Sequence, residues 1–148
     1  MVLGGLFVGL TAVLVPSDFR SPEGGFAGRG GDAGGVIASS VTVEDPHAVA
    51  ITDGDTFRYR GEKIRIADID TPEVRGRCAY ERDLAAQATA RMEELLQAGP
   101  FEMHGIDRDE DQYGRKLRVV TRDGRSLGDQ LVAEGLARTG TGRREPWC

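Results

Sequence analysis

Between residues 41 and 148 the apolar positions change period twice, and each change marks an element. From His47 to Thr52 they alternate weakly with polar ones, the spacing of a strand with one buried face. Thr56–Tyr59 and Lys63–Ile69 repeat that alternation. Asp53-Gly54-Asp55 is a turn signal and Arg60-Gly61-Glu62 a tight connection, so the three strands form a meander. Thr71-Pro72 ends it, because proline drives the preceding residue away from helix. Then Leu84, Ala85, Ala88, Met92, Leu95 and Leu96 recur at helical spacing, which predicts a helix over Ala79–Ala98 that Gly99-Pro100 terminates. Phe101–Ile106 and Leu117–Thr121 are short strands. Ser126, followed three residues later by Asp129, resembles a capping box opening a second helix, whose stripe is Leu127, Leu131, Val132 and Leu136.

Three strands, a helix, two strands and a helix is the order of a five-stranded Greek-key barrel with a helix inserted after the third strand. The pattern therefore predicts an α+β, mainly β domain of OB type over residues 41–148, with its second helix near the C-terminal end.

The first forty residues lack this patterning. Met1–Val15 holds eleven apolar residues, three glycines and a threonine, and no charge. As a helix it would rise about 22 Å, short of the roughly 30 Å hydrocarbon core. Residues 1–17 are expected to be a signal peptide or an uncleaved membrane anchor. No Lys or Arg precedes the apolar run, and no Ala-x-Ala site follows it. Residues 18–40 have the composition of a flexible linker, with seven glycines between Arg20 and Ser40. No strand–GxxxxGK–helix pattern accompanies them, so a phosphate loop is not expected.

Bulk composition alters this picture little. Of 148 residues, 29% are charged and 39% hydrophobic, an ordinary globular balance. Net charge is −5, which argues against tight nonspecific binding to duplex nucleic acid. It leaves open a site in which a bound cation and a few arginines hold one phosphate.

Three polar clusters interrupt the pattern: Asp53-Gly54-Asp55-Thr56; Arg65 with Asp70-Thr71-Pro72-Glu73; and Asp111-Gln112-Tyr113-Gly114-Arg115. Singly, each has a bland reading. Asp-Gly is common in hairpin turns, an arginine on a strand is usually solvated, and four acids within Asp107–Asp111 would normally be a solvated loop. Arg65 paired with Glu73 could be a simple salt bridge. Together they suit phosphodiester hydrolysis. Asp55 and Asp70 are carboxylates at strand ends that could share a hard cation, with a backbone carbonyl of Thr71 as a further oxygen. Glu73 lies one turn beyond Asp70, where a water could be aimed. Arg65 and Arg115 offer planar forks for a phosphate.

In that order the clusters resemble the thermonuclease (staphylococcal nuclease) family: Asp-Gly-Asp-Thr at 53–56, Arg65 five residues before Asp70, Asp70-Thr71-Pro72-Glu73, and Asp111-Gln112-Tyr113-Gly114-Arg115. Gly135-Leu136-Ala137 matches the usual end of the second helix, and the resemblance spans about Ala48 to Arg138. It implies an OB-fold barrel and calcium-dependent endonucleolytic cleavage of DNA or RNA, leaving a 3′-phosphate and a 5′-hydroxyl. By resemblance Asp55, Asp70 and the Thr71 carbonyl bind calcium. Glu73 orients or deprotonates the attacking water. Arg65 and Arg115 bind the phosphate and stabilise its transition state, and Tyr113 contacts a terminal phosphate.

Some features depart from the family. Gln112 stands where the family often has Lys, which should weaken substrate binding more than chemistry. The type enzyme is basic and has a long third helix; this sequence is acidic and ends at Cys148, soon after the second. Part of the base-binding wall is then expected to be missing or rebuilt by Arg143, Arg144 and Trp147. Trp147 could stack a base, but packing against the barrel is the expected role. The alternative to a nuclease is a noncatalytic OB-fold module that binds nucleic acid or protein at the membrane; retention of Asp55, Arg65, Asp70, Glu73 and Arg115 argues against it.

Cys78 and Cys148 are the only cysteines, and an even count behind an apolar leader suggests one disulfide. Two cysteines without a Cys/His pattern do not suggest zinc. A monomer acting outside the cytoplasm, secreted or periplasmic, or held to a membrane by residues 1–15, completes the expectation.

Overall fold

A computed structural model describes residues 39–148; the leader and nearly all of the Gly-rich stretch lie outside the described residues. The elements are β1 (Ser40–Val43), β2 (Val49–Asp53), β3 (Thr56–Tyr59), β4 (Glu62–Ile66), β5 (Ile69–Asp70), α1 (Ala79–Gln97), β6 (Phe101–Glu110), β7 (Lys116–Arg122), β8 (Arg125–Ser126), α2 (Leu127–Ala133) and β9 (Arg138–Thr139). The main sheet runs β1-β6-β7-β4-β3-β2, with β8 on β7, and β5 pairs separately with β9. All pairs are antiparallel except β4 with β7.

The two ends of that path, β1 and β2, are consecutive in the chain. Only a 3-10 turn at Pro46–Ala48 separates them, capped by Asp45, whose side chain accepts from the His47 amide at 2.9 Å. A sheet whose opposite edges are joined by so short a link must curl. This is the expected OB-type α+β fold, with its first strand bent into two pieces and α1 inserted after the meander. The pattern missed β1, which begins at Ser40, the last residue assigned to the linker. Its side chains are exposed apart from Val43, so no alternation marks it.

Inside the curl lie Val43, Phe57, Ile64, Ile66, Phe101, Met103 and Val120, with Phe57 and Phe101 edge to face at 6.1 Å. Ala88, Met92, Leu95 and Leu96 of α1 and Leu127 and Leu131 of α2 close the core. Burying each large aliphatic or aromatic side chain contributes roughly 1.5–3 kcal/mol. Turn chemistry sets the hairpins. Arg60 and Gly61 both have positive φ between paired Tyr59 and Glu62, a two-residue primed turn. Asp123-Gly124 does the same between β7 and β8. α2 begins with the Ser126 hydroxyl accepting from the Asp129 amide at 3.1 Å. It ends in a Schellman motif: the Leu136 amide bonds Leu131 and the Gly135 amide bonds Val132, with Gly135 at φ 75°.

β6 continues four residues beyond the predicted Ile106. Asp107–Glu110 is exposed strand, not loop, and its acids pair with the next strand: Asp109 and Glu110 with Lys116, and Asp109 with Arg118. Those cations, Lys116 first, hold the Asp109 carboxyl below its ordinary pKa.

Candidate active site

The site forms where three turns meet at one end of the curled sheet. The first turn joins β2 to β3 and carries Asp55, which is buried. Its carbonyl accepts from the Ile66 amide at 2.8 Å, fixing the turn to β4. Gly54 between the two acids has little space beside it. A Cβ there would sit 3.0 Å from the Ala88 Cβ on α1 and 3.1 Å from the Thr71 Cγ2. Burial first, and the Asp55 charge second, push the Asp53 carboxyl upward.

Asp55 Oδ1 accepts from the Thr56 hydroxyl at 2.8 Å, and Asp55 Oδ2 from Arg65 Nη1. Arg65 stands on β4 directly across from Thr56. Its other amino group is 3.8 Å from Asp70 Oδ1. Two buried carboxylates, one on the β2–β3 turn and one on β5, thus converge on a single guanidinium. Asp70 is held in the β5–β9 pair opposite Arg138, and Thr71 is buried against Gly54. The donors are all oxygen and the cluster is acidic, which fits a hard divalent cation.

Glu73 follows in the loop to α1. This loop is organised by Glu81, a buried acid in the first turn of α1 that the sequence reading missed. Glu81 accepts from the Arg77 amide at 2.8 Å and the Glu73 amide at 3.4 Å. Gly76 packs so closely on it that an added Cβ would meet Glu81 Cγ at 2.5 Å. Glu81 is three residues past the helix N-cap Cys78, but Cys78 makes no capping bond and Glu81 accepts from the Arg77 amide, so no capping-box pattern marks it in the sequence.

The third turn, Asp111–Arg115, joins β6 to β7. Asp111 builds it by accepting from the Tyr113 amide at 2.8 Å, the Arg115 amide at 3.0 Å and Arg115 Nε at 2.6 Å. Partial burial raises the Asp111 carboxyl, but these hydrogen bonds outweigh it and hold the group below its ordinary value. Arg115 lies over the exposed Tyr113 ring at 5.6 Å.

These pieces face one open cleft of about 450 Å³, lined among others by Arg65, Asp70, Gln112, Tyr113, Arg115 and Arg144. An adjoining hollow of about 570 Å³ brings Glu73 together with Lys63, Tyr113, Arg115 and Arg144. Of the residues singled out from the sequence, Arg65, Asp70, Gln112, Tyr113, Arg115, Arg143 and Arg144 line the cleft and Glu73 the adjoining hollow; Asp55 and Thr71 line neither, and Asp55 meets the cleft through its pairing with Arg65. Trp147 lines a separate hollow and carries the Arg138 guanidinium 3.8 Å above its ring, so it packs and offers no face to the cleft. Cys78 and Cys148 are joined in a disulfide. They also form, with Glu81, the one cluster of three His, Cys, Asp or Glu ligands among the described residues, but sulfurs bonded to each other do not ligate zinc.

The family model described as staphylococcal nuclease homologue matches residues 63–146. Endonuclease YncB of Bacillus subtilis (strain 168) is 36% identical over 91 residues, covering 58% of this chain and 43% of that protein. The SPbeta prophage-derived endonuclease YokF of the same organism is also 36% identical over 91 residues, 58% of this chain and 31% of its own length. The chain thus spans less than half the length of either relative. With more than half of its residues matched by the model, the chain belongs to the staphylococcal nuclease homologue family.

Proposed function

We propose that this protein is a calcium-dependent endonuclease that hydrolyses phosphodiester bonds of DNA or RNA, leaving a 3′-phosphate and a 5′-hydroxyl. The observation that carries the reading is the convergence of Asp55 and Asp70 on Arg65, beside a cleft that Arg115 also lines. Family membership and two relatives named as endonucleases support it.

Asp55, Asp70 and the Thr71 carbonyl would hold the calcium ion. Bound there, it would neutralise phosphate charge and polarise the attacking water. Arg65 from β4 and Arg115 from the β6–β7 turn would approach the phosphate and match its oxygens with planar donor forks. Their donors are fixed before charge develops, the arrangement that contributes most to such catalysis. Glu73 orients the water and accepts its proton as oxygen bonds to phosphorus. The bond from phosphorus to the 5′ oxygen breaks, that oxygen takes a proton from solvent water, and Glu73 returns its own to solvent. Tyr113, exposed at the rim, contacts a terminal phosphate.

The disulfide supports action in an oxidising compartment, outside the cytoplasm, where such bonds persist. The test is digestion of plasmid and of RNA by the full chain, with calcium and with excess chelator, followed by end-group analysis. Calcium-dependent cleavage leaving 5′-hydroxyl ends is the expected result. Undiminished cleavage in chelator would remove the metal from the mechanism.

A further inference from the structure

Arg144 belongs to none of the three clusters, yet it reaches further into the site than any other residue of its segment. Its guanidinium spans two acids: Nη1 pairs with Glu73 Oε1, and Nη2 is 3.5 Å from Asp70 Oδ1. It lines the main cleft, the hollow shared by Glu73 and Arg115, and the hollow leading to Trp147.

Three ties hold its backbone in place. Before it, β9 pairs with β5, and the Gly140 amide donates to the Asp68 carbonyl at 2.7 Å. Gly140 lies so close to the turn between β4 and β5 that a Cβ would meet the Ala67 oxygen at 3.1 Å. Beyond it, Arg138 stacks on Trp147 and donates to the Pro146 carbonyl at 3.2 Å. The disulfide then pins Cys148 to Cys78 at the start of α1. The chain between Thr139 and Cys148 is thus a strap across the site with Arg144 at its middle.

Stability does not explain this placement. Arg144 and Glu73 are each about half exposed, with side-chain exposures of 52% and 48%. Ion pairs that open to solvent contribute little. What the fork does have is reach to one carboxylate assigned to the metal and to another assigned to the water, from a wall of the phosphate cleft.

We propose that Arg144 is a third phosphate-binding arginine: without substrate it neutralises Glu73 and Asp70, and when calcium and nucleic acid bind it transfers its fork to a substrate phosphate. The inference rests on the nuclease reading above. It makes two demands of opposite sign. Arg144 competes with the cation for Asp70, so its removal should tighten calcium binding. It contributes donors to the substrate, so its removal should weaken catalysis.

The experiment uses the full chain, disulfide intact, as wild type, Arg144→Ala and Arg144→Lys. Calcium chloride alone is titrated by calorimetry, and cleavage of a single-stranded oligonucleotide is followed at steady state. For Arg144→Ala the calcium Kd should tighten several-fold. Its kcat/KM should fall about tenfold or more, the size of one lost charge-assisted hydrogen bond, mostly through KM. Arg144→Lys should keep a near wild-type calcium Kd and recover part of kcat/KM, since it keeps the charge and loses the fork. Melting temperatures should stay nearly equal. An unchanged calcium Kd in Arg144→Ala, or a kcat/KM within twofold of wild type, overturns the proposal. If the wild type fails to cleave at all, the nuclease reading falls by itself. The calcium titration then decides on Arg144 alone: a tighter Kd supports its hold on the carboxylates, and an unchanged one refutes it.

Discussion

Glu73 is a half-exposed site residue with the sharpest assigned role. Its amide is held by Glu81, but its carboxylate is half exposed and touches only Arg144. Glu73→Gln should therefore lower kcat by roughly 10²–10⁴-fold, the range of a lost general base, with an unchanged melting temperature. Cleavage within a few-fold of wild type would take the proton-accepting role away from it. Gly54 makes the converse case. Gly54→Ala pushes a methyl into the Ala88 and Thr71 contacts and should cost about 1–3 kcal/mol in a urea melt. Because Thr71 must yield, calcium affinity should weaken too. Asp-Gly-Asp was legible as a turn, but the reason for its glycine was not: the space is taken by a helix 34 residues further on, which local chemistry does not reveal. Arg144 was expected at a rebuilt wall; its reach to Glu73 depends on a strap whose path no spacing rule encodes.

At the scale of elements, periodicity served where one face is buried. α1 and its six stripe residues, β3, and the Ser126 cap all stand where the spacing puts them. It failed where both faces are wet, in β1 and the outer half of β6, and for β5, β8 and β9, which are only two residues long. β8 did have a signal, Asp123-Gly124 at a two-residue hairpin. Asp68 shows how α2 is seated: its Oδ2 accepts from the Ser126 hydroxyl at 2.7 Å, while buried Oδ1 has no partner. Burial, the largest influence, raises its pKa despite that bond. A carboxyl whose folded value is raised binds its proton more tightly in the folded state. It therefore costs stability above the ordinary carboxylate range, and that cost fades as pH falls through the range. Asp68→Asn should raise the melting temperature at pH 7 and make no difference near pH 3. An equal change at both pH values would show that charge is not the cause.

For the molecule as a whole, the net charge of −5 misleads about the site. The main cleft is lined by Arg65, Arg108, Arg115, Arg143 and Arg144 against Asp70 and Asp111, five cations to two acids. The proposed nucleic-acid substrate would thus meet a local positive field on an acidic body. Few phosphates can be contacted, so KM should rise only modestly with salt, with a log–log slope of about two or three, far below that of an extended duplex binder. A slope near that of such binders would require a basic surface beyond this cleft. The disulfide closes a sequence separation of 70 residues, which in the chain-entropy model contributes about 4 kcal/mol. Reduction in the folded state should lower the melting temperature by roughly 10 °C or more.

The parallel pair β4–β7 sets Arg65 beside Leu117, two residues past Arg115, across an intervening stretch that includes all of α1. Such a pairing has a high loop-closure cost and is slow to form. The carboxylates of the first two turns are translated early, but their second arginine joins them only after β7 has been made and docked. During synthesis the proposed cutting centre would therefore stay in separate pieces until β7 has docked.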